Sequence, residues 1–145
     1  MNDLVKSPSH YTTQVDGIEC WDIAQHMPGN LAHAFTYMWR YKDKGNPIQD
    51  LQKAIAWVEH EQNRLDCWGI DNHGKSCFID QYSIDADEFY TIVSHFCISC
   101  GPEIGRAFFN LLSYLSGHIW EDRGACLGLV VECLVGAIKE EKDEK

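Results

Sequence analysis

His33, Tyr37 and Arg40 are spaced four and three residues apart, which places their side chains on one face of a helix. An arginine at a helix C-terminus beside a tyrosine and a histidine can grip a phosphate or carboxylate through two parallel hydrogen bonds. The plainer alternative is that Arg40 caps its helix and pairs with Asp43 or Asp50. Asp50, Lys53 and Trp57 recur at i, i+3 and i+7 and form a second face. There Lys53 would neutralise a phosphate, and Asp50 would orient that phosphate or a metal. The alternative is a solvated surface salt bridge. Glu19 and Asp22, one turn apart in ECWD, make the kind of carboxylate pair that holds magnesium, although such pairs also occur on ordinary surfaces. His10 and Tyr11 lie in a non-helical lead-in. If that lead-in folds over a pocket, Tyr11, or Trp39 nearby, would stack a base.

These residues need helices to carry them. Residues 18–27, IECWDIAQHM, read as a short helix ended by Pro28 and Gly29. Asn30 is the expected N-cap of the next helix, LAHAFTYMWRYK, in which Leu31, Ala34, Phe35, Met38 and Trp39 follow the helical period. Asn46, Pro47 and Gln49 resemble a third helix start. That helix carries Leu51, Ala54, Ile55 and Val58 and is expected to end near Leu65. Residues 66–82 read as a connector with a short strand at CFI. Asp85 and Glu88 look like a capping box opening DEFYTIVSHFCIS, which Gly101 and Pro102 stop. Two further helices are expected over IGRAFFNLLSYLSG and CLGLVVECLVGAIKEE. The expected fold is an all-α domain of about six helices: an N-terminal three-helix unit, residues 7–65, and a C-terminal helical half, residues 83–145.

Composition narrows the function classes. The chain has 145 residues, enough for one domain with its own core, and 45% of them are hydrophobic. A net charge of −10 argues against a general nucleic-acid binder, which needs a positive surface. It leaves room for a small anion held locally by one arginine and one lysine. The seven cysteines are odd in number, and no stretch reads as a signal peptide, so free thiols in a reducing cytosol are expected. CISC at Cys97–Cys100 has CxxC spacing, but Cys126 and Cys133 supply no second CxxC, and buried packing is the expectation. The apolar run 125–138 is too short for a membrane span and carries Glu132. No Walker phosphate loop, GxGxxG or GxSxG motif occurs.

Taken in order, SPSHYTT, GIECWDI, AFTYMWRYKDKG and DLQKAIAWVE resemble a small phage-encoded family of nucleotide kinase-like proteins. The resemblance covers residues 7–61. It implies binding or catalytic weight for His10, Tyr11, Glu19, Asp22, Tyr37, Arg40, Asp50 and Lys53. This chain has His33 and Thr36 where the family pattern carries asparagine and lysine. A phosphate-binding cation is therefore missing, and His33 would replace it in part when protonated.

The leading expectation is a nucleotide-binding protein of an infected bacterial cytoplasm, a (deoxy)nucleoside monophosphate kinase or a divergent relative. Phosphoryl transfer is mainly positioning and charge neutralisation. In that scheme Arg40 and Lys53 hold phosphates and Glu19, Asp22 or Asp50 place a metal or the acceptor, with ATP as donor and Mg2+ as the metal. His10, Tyr11, His33, Tyr37, Trp39 and Trp57 form the substrate pocket. Two alternatives stand beside it. One is an all-α, magnesium-dependent nucleoside triphosphate pyrophosphohydrolase using Glu19, Asp22, Asp50 and Glu59. The other is a non-catalytic counter-defence protein that sequesters a nucleotide signal or binds a host protein. The apolar C-terminal helices also suggest a homo-oligomer.

Overall fold

The computed structural model describes residues 15, 17–43, 45–68, 84–116 and 123–144, with side chains for all of these except 65–68, 123 and 124. His10, Tyr11 and the expected strand at CFI lie outside the described residues. Six helices are described: α1 (Cys20–Ala24), α2 (Gly29–Arg40), α3 (Pro47–Trp68), α4 (Ala86–Cys100), α5 (Pro102–Ser116) and α6 (Arg123–Asp143). The fold is all-α. Extended pairing among the described residues is confined to an isolated bridge between Val15 and Ile18. Gly17 turns the chain between them at φ +76°, a conformation costly for any residue with a Cβ.

The helix boundaries have local causes. Glu19 precedes α1, and its N–H donates to Asp22 Oδ2 at 3.0 Å, closing a capping box. α2 begins two residues before the expected start. Pro28 is its N-cap, and the Pro28 carbonyl accepts from the Ala32 N–H at 2.8 Å. Asn30 is therefore already inside the helix, and its side chain is released for a tertiary contact. Pro47 opens α3, where its missing N–H costs nothing. Asp85 caps α4 by accepting from the Asp87 and Glu88 N–H groups. Gly101, at φ +102°, ends α4, and Pro102 then serves as the first residue of α5 rather than only as a stop.

α2 and α3 pack as an antiparallel hairpin, α4 packs on α5, and α6 lies against both α5 and α3. The C-terminal half is thus joined to the N-terminal unit through α6. Phe35 and Trp39 of α2 meet Phe108 of α5 and Phe96 of α4 edge-on, at centroid distances of 5.6 and 5.3 Å. Phe96 and Phe108 stack at 4.1 Å. Leu31, Ala34, Met38, Leu51, Ala54 and Val58 close the core beneath the α2–α3 hairpin. None of the described helices is long and apolar enough to cross a membrane.

The CISC expectation needs correction. Cys20, Cys126 and Cys133 are buried free thiols, but Cys97 is exposed and Cys100 only half-buried. Phe96 takes the buried position of that turn, and Cys97 lies about 100° further round the helix.

Candidate functional site

The two faces read from the sequence meet each other. On α2 the residues run 33, 37, 40, and on α3 the facing residues run 57, 53, 50. Equal steps in opposite directions are the register of an antiparallel pair. His33 and Trp57 stack at 4.3 Å with 20° between their planes. One turn along, Tyr37 lies under two cations: the Arg40 guanidinium carbon is 4.6 Å from its ring centroid and Lys53 Nζ is 5.5 Å away. A ring face attracts cations by its quadrupole, so Tyr37 holds both in place. At the end of the seam Arg40 Nε faces Asp50 Oδ2 at 3.7 Å, an ion-pair distance too long for a hydrogen bond.

Burial separates the two members of this pair from a surface salt bridge. Asp50 is only 5% exposed. A buried carboxylate is costly unless a cation answers it. Arg40 is half-buried beside it, and Lys53 reaches the exposed side of the same cluster. The seam therefore presents two basic groups, exposed Lys53 and half-buried Arg40, the latter facing a buried acid, beside an aromatic stack.

The stripe continues beyond what the two faces suggested. Trp57 also contacts the His60 ring at 5.5 Å. Glu61 is 2% exposed. It accepts from Asn30 Nδ2 at 3.1 Å and, in two-pronged fashion, from Arg64 Nε and a terminal Arg64 nitrogen, each at 2.8 Å. The Arg64 bonds, helped by Asn30, hold the Glu61 carboxyl below the usual carboxylate range. Asn30, His60, Glu61 and Arg64 were absent from the sequence reading of the site. Extending the spacing of Asp50, Lys53 and Trp57 by two more turns reaches three of them, His60, Glu61 and Arg64.

Other expected site residues lie elsewhere. Trp39 is fully buried between Phe35 and Phe96. It has no open face for a base, which corrects the stacking role expected of it. Glu19 and Asp22 are engaged in capping α1. Among the described residues no three of His, Cys, Asp or Glu gather as metal ligands. Thr36 donates to the Ala32 carbonyl at 2.8 Å, and the Cys20 thiol approaches its hydroxyl at 3.9 Å. Its side chain thus belongs to the α1–α2 contact. Burial pushes the Cys20 thiol up to about 12, against the opposing pull of Thr36 and Arg40, so it stays protonated and is no nucleophile.

A model of a protein family of unknown function, DUF3310, matches residues 5–59. The matched stretch contains α1, α2 and every seam residue from His33 to Trp57, and stops short of His60, Glu61 and Arg64. No curated protein and no solved structure matches the chain.

Proposed function

We propose that the α2–α3 seam binds a nucleotide and that the protein is a (deoxy)nucleoside monophosphate kinase without a P-loop, or a divergent relative. The observation that carries the reading is the double cation on Tyr37. Arg40 and Lys53, from different helices, converge on one ring next to a flat imidazole–indole stack. A phosphate at the two cations and a base against His33 and Trp57 would lie seven residues apart along α2, about 10 Å. That spacing suits a phosphate and base of one nucleotide. The resemblance of residues 7–61 to nucleotide kinase-like proteins supports the phosphotransfer part, with ATP as donor and Mg2+ as the metal.

Calorimetric titration of the full chain with nucleoside monophosphates tests the binding. Lys53→Met should weaken it at least tenfold. Incubation with ATP, Mg2+ and a panel of monophosphates should then yield diphosphate, and Arg40→Ala should abolish that turnover. Absence of diphosphate removes the kinase, and absence of any nucleotide binding removes the whole reading. One observation favours a non-catalytic variant: Asp50 and Glu61, the carboxylates nearest the seam, are buried and paired with arginines. A nucleotide bound tightly and recovered unchanged would decide for sequestration.

A further inference from the structure

The seam repeats one device at both ends. Asp50, 5% exposed, answers Arg40, and Glu61, 2% exposed, answers Arg64. In each case a carboxylate is buried at the edge of a helix hairpin where solvent is one turn away. That is an expensive place for a charge unless it fixes its partner. The effect of each buried acid is to take rotational freedom from an arginine before any ligand arrives. The Arg64 side chain is 45% exposed although both of its Glu61 contacts are at 2.8 Å, so it is held and yet presented. Lys53, Trp57, His60 and Arg64 follow one another at four, three and four residues and share a face of α3. From Lys53 to Arg64 is eleven residues of continuous helix, roughly 16 Å. Between these cations lie the rings of His33, Trp57 and His60.

We infer that the seam takes a ligand with phosphate at both ends and planar bases between them, the chemistry of a short dinucleotide phosphorylated on its 5′ and 3′ termini. Arg40 and Lys53 hold one terminal phosphate, and Arg64, set by Glu61 and Asn30, holds the other. The inference rests on the nucleotide reading above and adds the second anion site. A single nucleoside monophosphate leaves half of the seam unused. A long nucleic acid would bring its remaining phosphates against a chain of net charge −10.

Calorimetry on the full chain with the thymidine dinucleotide pTpTp, unphosphorylated TpT and dTMP distinguishes these cases. The expected result is that pTpTp binds at least tenfold more tightly than either of the others. Arg64→Gln should bring the pTpTp to dTMP affinity ratio to within threefold of one. The double variant Glu61→Gln, Arg64→Gln should do the same without leaving a buried unpaired carboxylate. If pTpTp binds no more tightly than dTMP, or the ratio survives both variants, the second site is overturned while nucleotide binding stands. If none of the three binds, both readings fall.

Discussion

At the scale of single residues, each buried carboxylate described faces a cation. Asp50 faces Arg40 at 3.7 Å, Glu61 faces Arg64 at 2.8 Å, and Glu141 faces Lys42 at 2.6 Å. The Glu61 case has a pH signature. Its carboxyl is held below its ordinary value by Arg64 and Asn30, so the folded state binds this proton less readily than the unfolded chain does. Its stabilising contribution is complete above the unfolded value of about 4.5 and is lost as pH falls through the lower folded value. Urea midpoints measured from pH 7 down to pH 3 should fall less steeply below pH 4.5 in Glu61→Gln than in the parent chain. Parallel curves would show that Glu61 has no such linkage. Tyr37 makes a different contribution. Replacing it with leucine keeps apolar bulk but removes the ring face under Arg40 and Lys53, a loss of about 0.5–2 kcal/mol. Nucleotide affinity should drop several-fold in Tyr37→Leu and much less in Tyr37→Phe, which separates the ring from its hydroxyl. Equal losses in the two variants would point to the hydroxyl instead.

At the scale of elements, the helices themselves were largely legible in the sequence, and the way their faces meet was not. Periodicity placed Leu31, Phe35 and Met38 on a core face and His33, Tyr37 and Arg40 beside it, because both sets obey the same 3.6-residue repeat. The pairing of His33 with Trp57 depends on the register of two helices, which no spacing within one helix encodes. Residues adjacent in the chain can also face opposite surroundings. Trp39 neighbours Arg40 in the chain but points about 100° away into the core, and Cys97 stands in the same relation to Phe96. Gly101 and Pro102 stop α4 as expected, and Pro102 also opens α5. The α4–α5 corner it shares with Gly101 brings the two helices very close. A Cβ built on Gly105 would lie 2.7 Å from Cys97 Cβ and 3.0 Å from Cys97 Cα. Both atoms are on or next to the backbone and cannot swing aside. Gly105→Ala should therefore destabilise the protein by roughly 1–3 kcal/mol despite alanine's better helix propensity. An increase in the denaturation midpoint would show that the corner opens freely. At the other end of α4, Asp85→Ala should cost about 1 kcal/mol through the lost N-cap, measured in the same assay.

At the scale of the whole molecule, the part that resembles a known family and the part that makes a core differ. The family match ends at residue 59, and the seam is complete by Arg64. The underside of the same hairpin, however, is closed by the second half. Phe35 rests edge-on against Phe108 at 5.6 Å, Trp39 against Phe96 at 5.3 Å, and α6 lies along α3. Lys42, just past α2, is tied to Glu141 near the end of α6. A fragment of residues 1–68 would keep every seam residue described but expose Phe35 and Trp39, both fully buried in the intact chain. Three helices with that much uncovered apolar surface cannot offset the conformational entropy of ordering them. The fragment should therefore retain helical far-ultraviolet circular dichroism while losing near-ultraviolet signal and a cooperative urea transition. Phe108→Ala, made in the complete chain, should weaken the same contact without removing an element. Its expected cost is about 3–5 kcal/mol, together with reduced nucleotide affinity, although Phe108 lies on the far side of α2 from the seam. If the fragment instead unfolds cooperatively and binds nucleotide as the full chain does, the seam is an autonomous module and α4–α6 serve some end other than holding it in shape.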